Sequence, residues 1–314
     1  MSFRIRFSCR FFAFFGLFLS ILLLSACSSG SKKSEAHTGP PRDNTARILT
    51  PEASAVTVFG NDIVSIDASN VSQGYLMVNY SGTNEKVKLQ IEDPSAIDYT
   101  YLVTDVGSYA VYPLSGGDGS YSISILESVD IENDMYSIAF TQDIDVTLED
   151  EFLPYLYPNH YVNFNAESAL VSKGESLAMD CESDLDVVTN IYDFVINNIS
   201  YDTEKAQDLP YGYTPVPDET LSAKKGICFD YASLMSAMLR SQNIPTRLEV
   251  GYSGDVYHAW ISCYVDEVGW VDHIIEFDGK NWSLMDPTLA ASNSKSDVKK
   301  YVGNGDNYTV KYTY

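Results

Sequence analysis

The stretch K-K-G-I-C-F-D-Y-A-S-L-M-S-A-M-L-R-S-Q-N-I-P-T-R, residues 224–247, decides how the C-terminal half of the chain folds. A basic, glycine-containing turn leads into Cys228, and Tyr231, Leu234, Met235, Met238 and Leu239 then fall on one stripe at helical spacing. Asn243 and Pro245 stop the run. The spacing predicts a mostly buried helix with Cys228 at or near its N-terminus. Unpaired backbone N–H groups and the positive end of the helix dipole stabilise an anion there, and a thiolate is one. Gly226 lets the backbone approach a ligand closely, or take a positive φ, just before the cysteine. A cysteine in an apolar helix is most often an inert small hydrophobe, so the case for reactivity rests on later residues.

Two segments supply it. Tyr257-His258-Ala259-Trp260-Ile261 lies in a strand pattern, and Trp282-Ser283-Leu284-Met285-Asp286-Pro287-Thr288 lies at a strand end. His258 follows Cys228 by 30 residues and Asp286 follows His258 by 28, which fits a helix and two or three neighbouring strands. A thiol is mostly protonated at neutral pH and needs a base; His258 is suited to take that proton. An imidazole works best with one tautomer fixed and its cation stabilised, and the carboxylate of Asp286 is placed to do both. Pro287 disfavours helix at Asp286 and holds it extended.

G-x-C at a helix start, then H-A-W, then D-P-T, in this order, resemble the transglutaminase-like superfamily, papain-like Cys-His-Asp thiol enzymes that transfer or hydrolyse acyl groups. The resemblance covers roughly residues 184–290 and implies Cys228 as nucleophile, His258 as base and Asp286 as its orienter. It also implies an oxyanion hole built from the nucleophile's own N–H and an upstream group; Tyr211 and Tyr213 are the candidates for the latter. No acidic cluster has calcium-loop spacing, so the calcium dependence of animal transglutaminases is not implied, and no metal or other cofactor is expected.

The chain opens with Arg4, Arg6 and Arg10 and an apolar run from Phe11 to Leu24, short of the roughly 20 residues that span a membrane. It fits the core of a signal peptide. Leu24-Ser25-Ala26-Cys27 resembles a bacterial lipobox, which implies cleavage of residues 1–26 and a lipid on Cys27; the alternative is an ordinary secretory signal with an incidental cysteine. The expected location is the bacterial cell membrane, lipid-anchored and facing away from the cytoplasm. Residues 27–45 are rich in Ser, Lys, Gly and Pro and are expected to form a disordered tether. The whole chain carries −23, and losing three Arg and no acid with the signal leaves −26. That argues against nucleic acid as a partner and against adhesion to anionic headgroups, leaving anchorage to the lipid. Once Cys9 leaves and Cys27 is modified, three cysteines remain, which is not a disulfide scaffold. A Cys181–Cys263 bridge is the one pairing to consider. Cys263, five residues from His258 on a strand, points to the opposite face and reads as core.

Within an expected domain of residues 46–150, the chain from about Val56 to Leu148 reads as β throughout, with Val87–Ile91, Tyr121–Ile125 and Tyr136–Phe140 alternating cleanly. Short strands at regular spacing with one apolar face imply an antiparallel sandwich. Its tyrosines, Tyr75, Tyr80, Tyr99, Tyr101, Tyr109, Tyr112 and Tyr121, suit either a ligand platform or ordinary sheet packing, and packing is preferred. Residues 151–314 are the expected α+β transglutaminase-like domain. A helix is expected from Asp184, and 201–220, with Pro210, Pro215 and Pro217, reads as a long irregular wall of the substrate cleft. Gly226, Tyr211, Tyr213 and Trp260 are the cleft candidates, with Trp260 equally readable as core. His160 reads as structural, and His273 has no metal-binding neighbour in sequence. The expected activity is thiol acyl chemistry on a peptide or protein amide by a monomer, with hydrolysis favoured over transamidation. The alternatives are a protein-crosslinking transglutaminase and a non-catalytic binding or adhesive surface lipoprotein.

Overall fold

The computed structural model describes residues 42–266, 269–271 and 308–314, and the backbone of 275–277 and 282–284. Eight strands come first: β1 (Val58–Gly60), β2 (Val64–Asp67), β3 (Tyr75–Tyr80), β4 (Val87–Glu92), β5 (Asp98–Leu102), β6 (Tyr109–Pro113), β7 (Gly119–Asp130) and β8 (Met135–Val146). They form two four-stranded antiparallel sheets, ordered β1-β2-β3-β6 and β5-β4-β7-β8. The period-two pattern explains the buried rows: Val87, Leu89 and Ile91 in β4 face the core, as do Tyr121, Ile123 and Ile125 in β7. The rows meet between sheets, where the rings of Tyr101 and Tyr112 lie 4.8 Å apart and the Tyr80 hydroxyl donates to Glu127. Six of the seven candidate platform tyrosines are buried here, and Tyr109 is the exposed exception. They are core residues, and some of their hydroxyls meet local acceptors, as when Tyr121 donates to the Gly117 carbonyl at 2.9 Å.

The C-terminal part contains α1 (Ala169–Ala178), α2 (Asp184–Asn198), β9 (Ser200–Tyr201), α3 (Thr203–Gln207), α4 (Pro217–Ala223), β10 (Lys225–Gly226) and α5 (Cys228–Ser241). Strands β11 (Thr246–Ser253), β12 (Val256–Val265), β13 (Gly269–Val271), β14 (Ile275–Phe277), β15 (Trp282–Leu284) and β16 (Tyr308–Thr313) follow. One antiparallel sheet is ordered β13-β12-β11-β16, and β14 pairs with β15. Helix α5 packs on β11 and β12 on one side and on α1, α2 and α4 on the other. It is therefore buried from Asp230 to Ser241 on every face, beyond the stripe its periodicity predicts. Small residues at Ala232, Ser233, Ser236 and Ala237 let neighbours close in, and each fully buried Leu or Met contributes about 1.5–3 kcal/mol. The helix stops where Asn243 enters the left-handed region at φ 60°.

Buried Arg240 ties this helix to its surroundings through carbonyls: Thr246 at 2.7 Å, Tyr157 at 2.8 Å and Tyr314 at 2.8 Å. Burial lowers its pKa to about 9. His160 is buried against the Tyr112 ring, 5.3 Å between centroids, and burial pushes its pKa down to about 4. It is neutral near pH 7 and structural, as its sequence context suggests.

Two expectations change, and one open pairing is settled. Residues 201–220 are not irregular throughout: Asp202 caps α3 by accepting from the Lys205 N–H at 3.0 Å, and Pro217 opens α4 at a position whose N–H has no helical partner to lose. The tether gives way to ordered chain before residue 46, because Arg42 pairs with Asp184 at 2.7 Å and Asn44 donates to the Cys181 carbonyl at 3.0 Å. Cys181 is a buried free thiol, its pKa raised by burial, so no bridge joins it to Cys263.

Candidate active site

Cys228 is the first residue of α5, and the local sequence explains why the helix starts there. Asp230, at the third helical position, turns back and accepts the Ile227 N–H at 2.8 Å, satisfying a donor the helix start would otherwise leave open. That carboxylate is fully buried and has two further donors from the preceding segment: Lys205 Nζ at 2.7 Å and the Tyr213 hydroxyl. Lys205 also donates to the Tyr213 oxygen, closing a triangle. A buried carboxylate is costly unless charge and hydrogen bonds compensate it, and here they do. Gly226 is explained by the same group: a Cβ there would sit 2.7 Å from the Asp230 Cβ. It makes room for Asp230, and its φ is not positive.

His258 lies on β12, directly opposite Gly251 of β11. Cys228 and His258 line one cavity of 530 Å³. Its walls come from distant parts of the chain: Thr100 on β5, Tyr161 before α1, Tyr201, Leu209 and Tyr213 in the cleft segment, Phe229 on α5, and Tyr312 and Tyr314 at the far end. Tyr161 joins these walls, its ring 5.1 Å from Phe229 and 4.8 Å from Tyr314. Burial pushes the phenols of Tyr161, Tyr213 and Tyr314 upward, and the Asp230 carboxylate adds to the effect on Tyr213, so all three stay protonated at neutral pH. Among the described lining residues none is Lys, Arg, Asp or Glu. The cavity favours a neutral, partly apolar group beside the thiol.

Asp286 and His273 lie outside the described residues, and β15, which leads toward Asp286, pairs with β14 among the described strands. Of the cleft candidates, Tyr213 lines the cavity, with its hydroxyl donating a hydrogen bond to Asp230. Tyr211 is 65% exposed, stands outside the cavity and lies under Lys86 Nζ, 4.6 Å from the ring centroid. Trp260 is buried outside the cavity, its Nε1 donating to Glu249 at 2.7 Å, so the core reading holds for it. Cys263 is buried on β12 and Gly226 is packed beneath Asp230. Among the described residues no group of three or more His, Cys, Asp or Glu is arranged to hold a metal ion. Sequence reasoning missed Asp230, although an acid three residues into a helix is a recognised capping signal. It also missed Lys205, Thr100, Tyr312 and Tyr314, which carry no local signal.

Residues 173–273, which include both Cys228 and His258, match the family described as the transglutaminase-like superfamily. This segment is a transglutaminase-like domain. Among curated relatives, UPF0252 protein MJ1282 of Methanocaldococcus jannaschii is 35% identical over 96 residues, 27% of each chain. YebA of Bacillus subtilis is 22% identical over 247 residues, 66% of this chain and 33% of the relative. The chain thus spans about a quarter to a third of the length of these relatives. Among solved structures, a candidate cysteine protease from Cytophaga hutchinsonii is similar with a TM-score of 0.38 and 16% identity, covering 82% of this chain and 74% of that one. The periplasmic domain of TgpA from Pseudomonas aeruginosa gives 0.35 and 12%, covering 75% and 96%. Red sea bream transglutaminase gives 0.29 and 13%, covering 68% and 48%.

Proposed function

We propose that the transglutaminase-like domain is a thiol enzyme acting on peptide or protein amides, with hydrolysis as its main outcome. The observation that carries this reading is the shared cavity: the helix-start thiol of Cys228 and the imidazole of His258 open on one uncharged space. In the proposed cycle the Cys228 sulfur bonds to the amide carbonyl carbon, and the carbonyl pair moves to oxygen under the N–H groups at the start of α5. His258 takes the thiol proton and delivers it to the departing amine as the C–N bond breaks. Water, deprotonated by His258, then cleaves the thioester and restores the thiol. Asp286 is proposed to orient His258, as the family resemblance implies.

Transfer instead of hydrolysis needs a cleft that binds an amine or keeps water out. Supplying a glutamine-containing acyl donor with an isotopically labelled lysine analogue decides between them. The expected result is free acid or cleaved peptide with little incorporated label. Label incorporated faster than acid appears overturns hydrolysis in favour of crosslinking. Absence of turnover on any amide, with a reactive Cys228, favours the binding-module reading.

The two antiparallel sheets of residues 46–150 are proposed to form a sandwich that raises the catalytic domain above the membrane and, through Thr100, edges the substrate cavity. Anchorage is proposed through a lipid on Cys27, on the strength of the Leu24–Cys27 motif and the apolar run before it. Cys27→Ala is expected to release the protein from the membrane fraction or leave its signal uncleaved; a processed Cys27→Ala protein that stays in the membrane fraction rules the anchor out.

A further inference from the structure

We propose that Lys205 is the positioning residue that holds the charge balance of the Cys228 thiolate: its ammonium offsets the buried Asp230 carboxylate two residues beyond the cysteine, and it does so only while the cleft segment is seated. The inference rests on Cys228 being the nucleophile.

Asp230 and a Cys228 thiolate draw on the same positive helix end, so they compete for its stabilisation and repel each other. A carboxylate placed beside a nucleophilic thiol is a handicap unless something cancels it. Lys205 Nζ stands 2.7 Å from Asp230 Oδ2, and its side chain is 28% exposed against 0% for Asp230. With Lys205 in place the helix start carries no net side-chain charge, and the dipole is left to the thiolate. Among the described residues, His258 and Tyr257 face this site from β12, Tyr201 and Tyr213, the latter held protonated, from the cleft segment, and Glu219 of α4 bears on Tyr213 through its charge. Lys225 is engaged at 3.0 Å with Asp202 and lies 4.0 Å from Glu204, farther out.

The compensating charge comes from outside the helix. Lys205 is on α3, Tyr213 is in the cleft segment, and both converge on Asp230 of α5. Seating the segment that walls the cavity and cancelling the charge under the nucleophile are therefore one event. A molecule with the segment displaced keeps its cysteine and loses the environment that ionises it.

The test is the pH dependence of iodoacetamide alkylation of Cys228 in the full-length protein, read by peptide mass spectrometry from about pH 4 to 9. Lys205→Met is expected to raise the alkylation midpoint by about one pH unit, equivalent to about tenfold slower alkylation below the midpoint. Lys205→Arg is expected to restore most of it. Asp230→Asn is expected to shift the midpoint the opposite way, downward, although it removes a capping carboxylate. A purely architectural role slows alkylation in both variants without opposite midpoint shifts. Shifts in the same direction, or no shift in either, overturn the proposal. Should Lys205→Met fail to fold by circular dichroism, Asp230→Asn decides alone: a fall supports the counter-charge and a rise overturns it. The parent protein reports separately on the underlying reading. A midpoint near that of an ordinary thiol, about 8.5, removes Cys228 as an activated nucleophile whatever the variants do.

Discussion

His258→Ala is expected to lower the rate of acyl-thioester formation at Cys228 by about 10²–10⁴-fold, the usual range for a positioned proton-transfer group. The expectation follows from where the two residues stand. Cys228 gains from the helix N-terminus whether or not an imidazole is near, so the variant keeps a thiol that alkylates. What it is expected to lose is the group proposed to take the thiol proton and return it to the departing amine. Amide cleavage is therefore expected to suffer far more than alkylation by iodoacetamide, whose leaving group needs no proton. Measuring both on one preparation checks the assignment. Equal losses in both reactions mean that His258 acts only on thiol ionisation, and no loss in either removes it from the site.

Gly251→Ala is expected to destabilise the protein by about 2–4 kcal/mol, a fall of roughly 5–15 °C in melting temperature. Gly251 pairs with His258 on one side and with Val310 on the other, at an irregularity in the β11–β16 register. A Cβ at this position would lie 2.0 Å from the Thr309 carbonyl oxygen and 3.0 Å from the Lys311 nitrogen. Both are backbone atoms of β16 and no rotamer change relieves them, so β16 must shift or detach. That strand leads Tyr312 and Tyr314 into the cavity wall. The variant is expected to lose discrimination between bulky and small acyl donors along with its stability. A thermal melt and alkylation by haloacetamides of graded size test the two effects; an unchanged melt means that β16 yields at no cost and the tight fit is incidental.

The sequence reveals what is local. The helix from Cys228 follows from the spacing of Tyr231, Leu234, Met235, Met238 and Leu239, and β4 and β7 follow from strict alternation, because burial on one face leaves a period in the residues. Trp260 was ambiguous for a physical reason: on β12 both faces are covered from Ala259 to Cys263, so alternation does not tell a core tryptophan from a cleft one. Asp230 carries no local sign of the side chains it meets. Its partners sit 25 and 17 residues earlier, in a segment whose prolines suggest no regular structure. Tyr312 and Thr100 became cavity walls only through strand pairing and packing across the chain, and periodicity carries no record of such long-range contacts.

The cavity walls bring residues as distant as Thr100 and Tyr312 to the same space as Cys228. Contacts of such sequence separation carry a large loop-closure cost and are slow to form. The chain can build α5, and with it a cysteine at a helix start, from neighbouring residues long before those walls meet. Assembly order thus separates the helix-start thiol from the pocket that later surrounds it. A partly folded molecule presents a thiol open to oxidants and chance electrophiles without the walls that would select what reaches it, so the vulnerable interval in this protein's life is its maturation, before β16 docks beside β11.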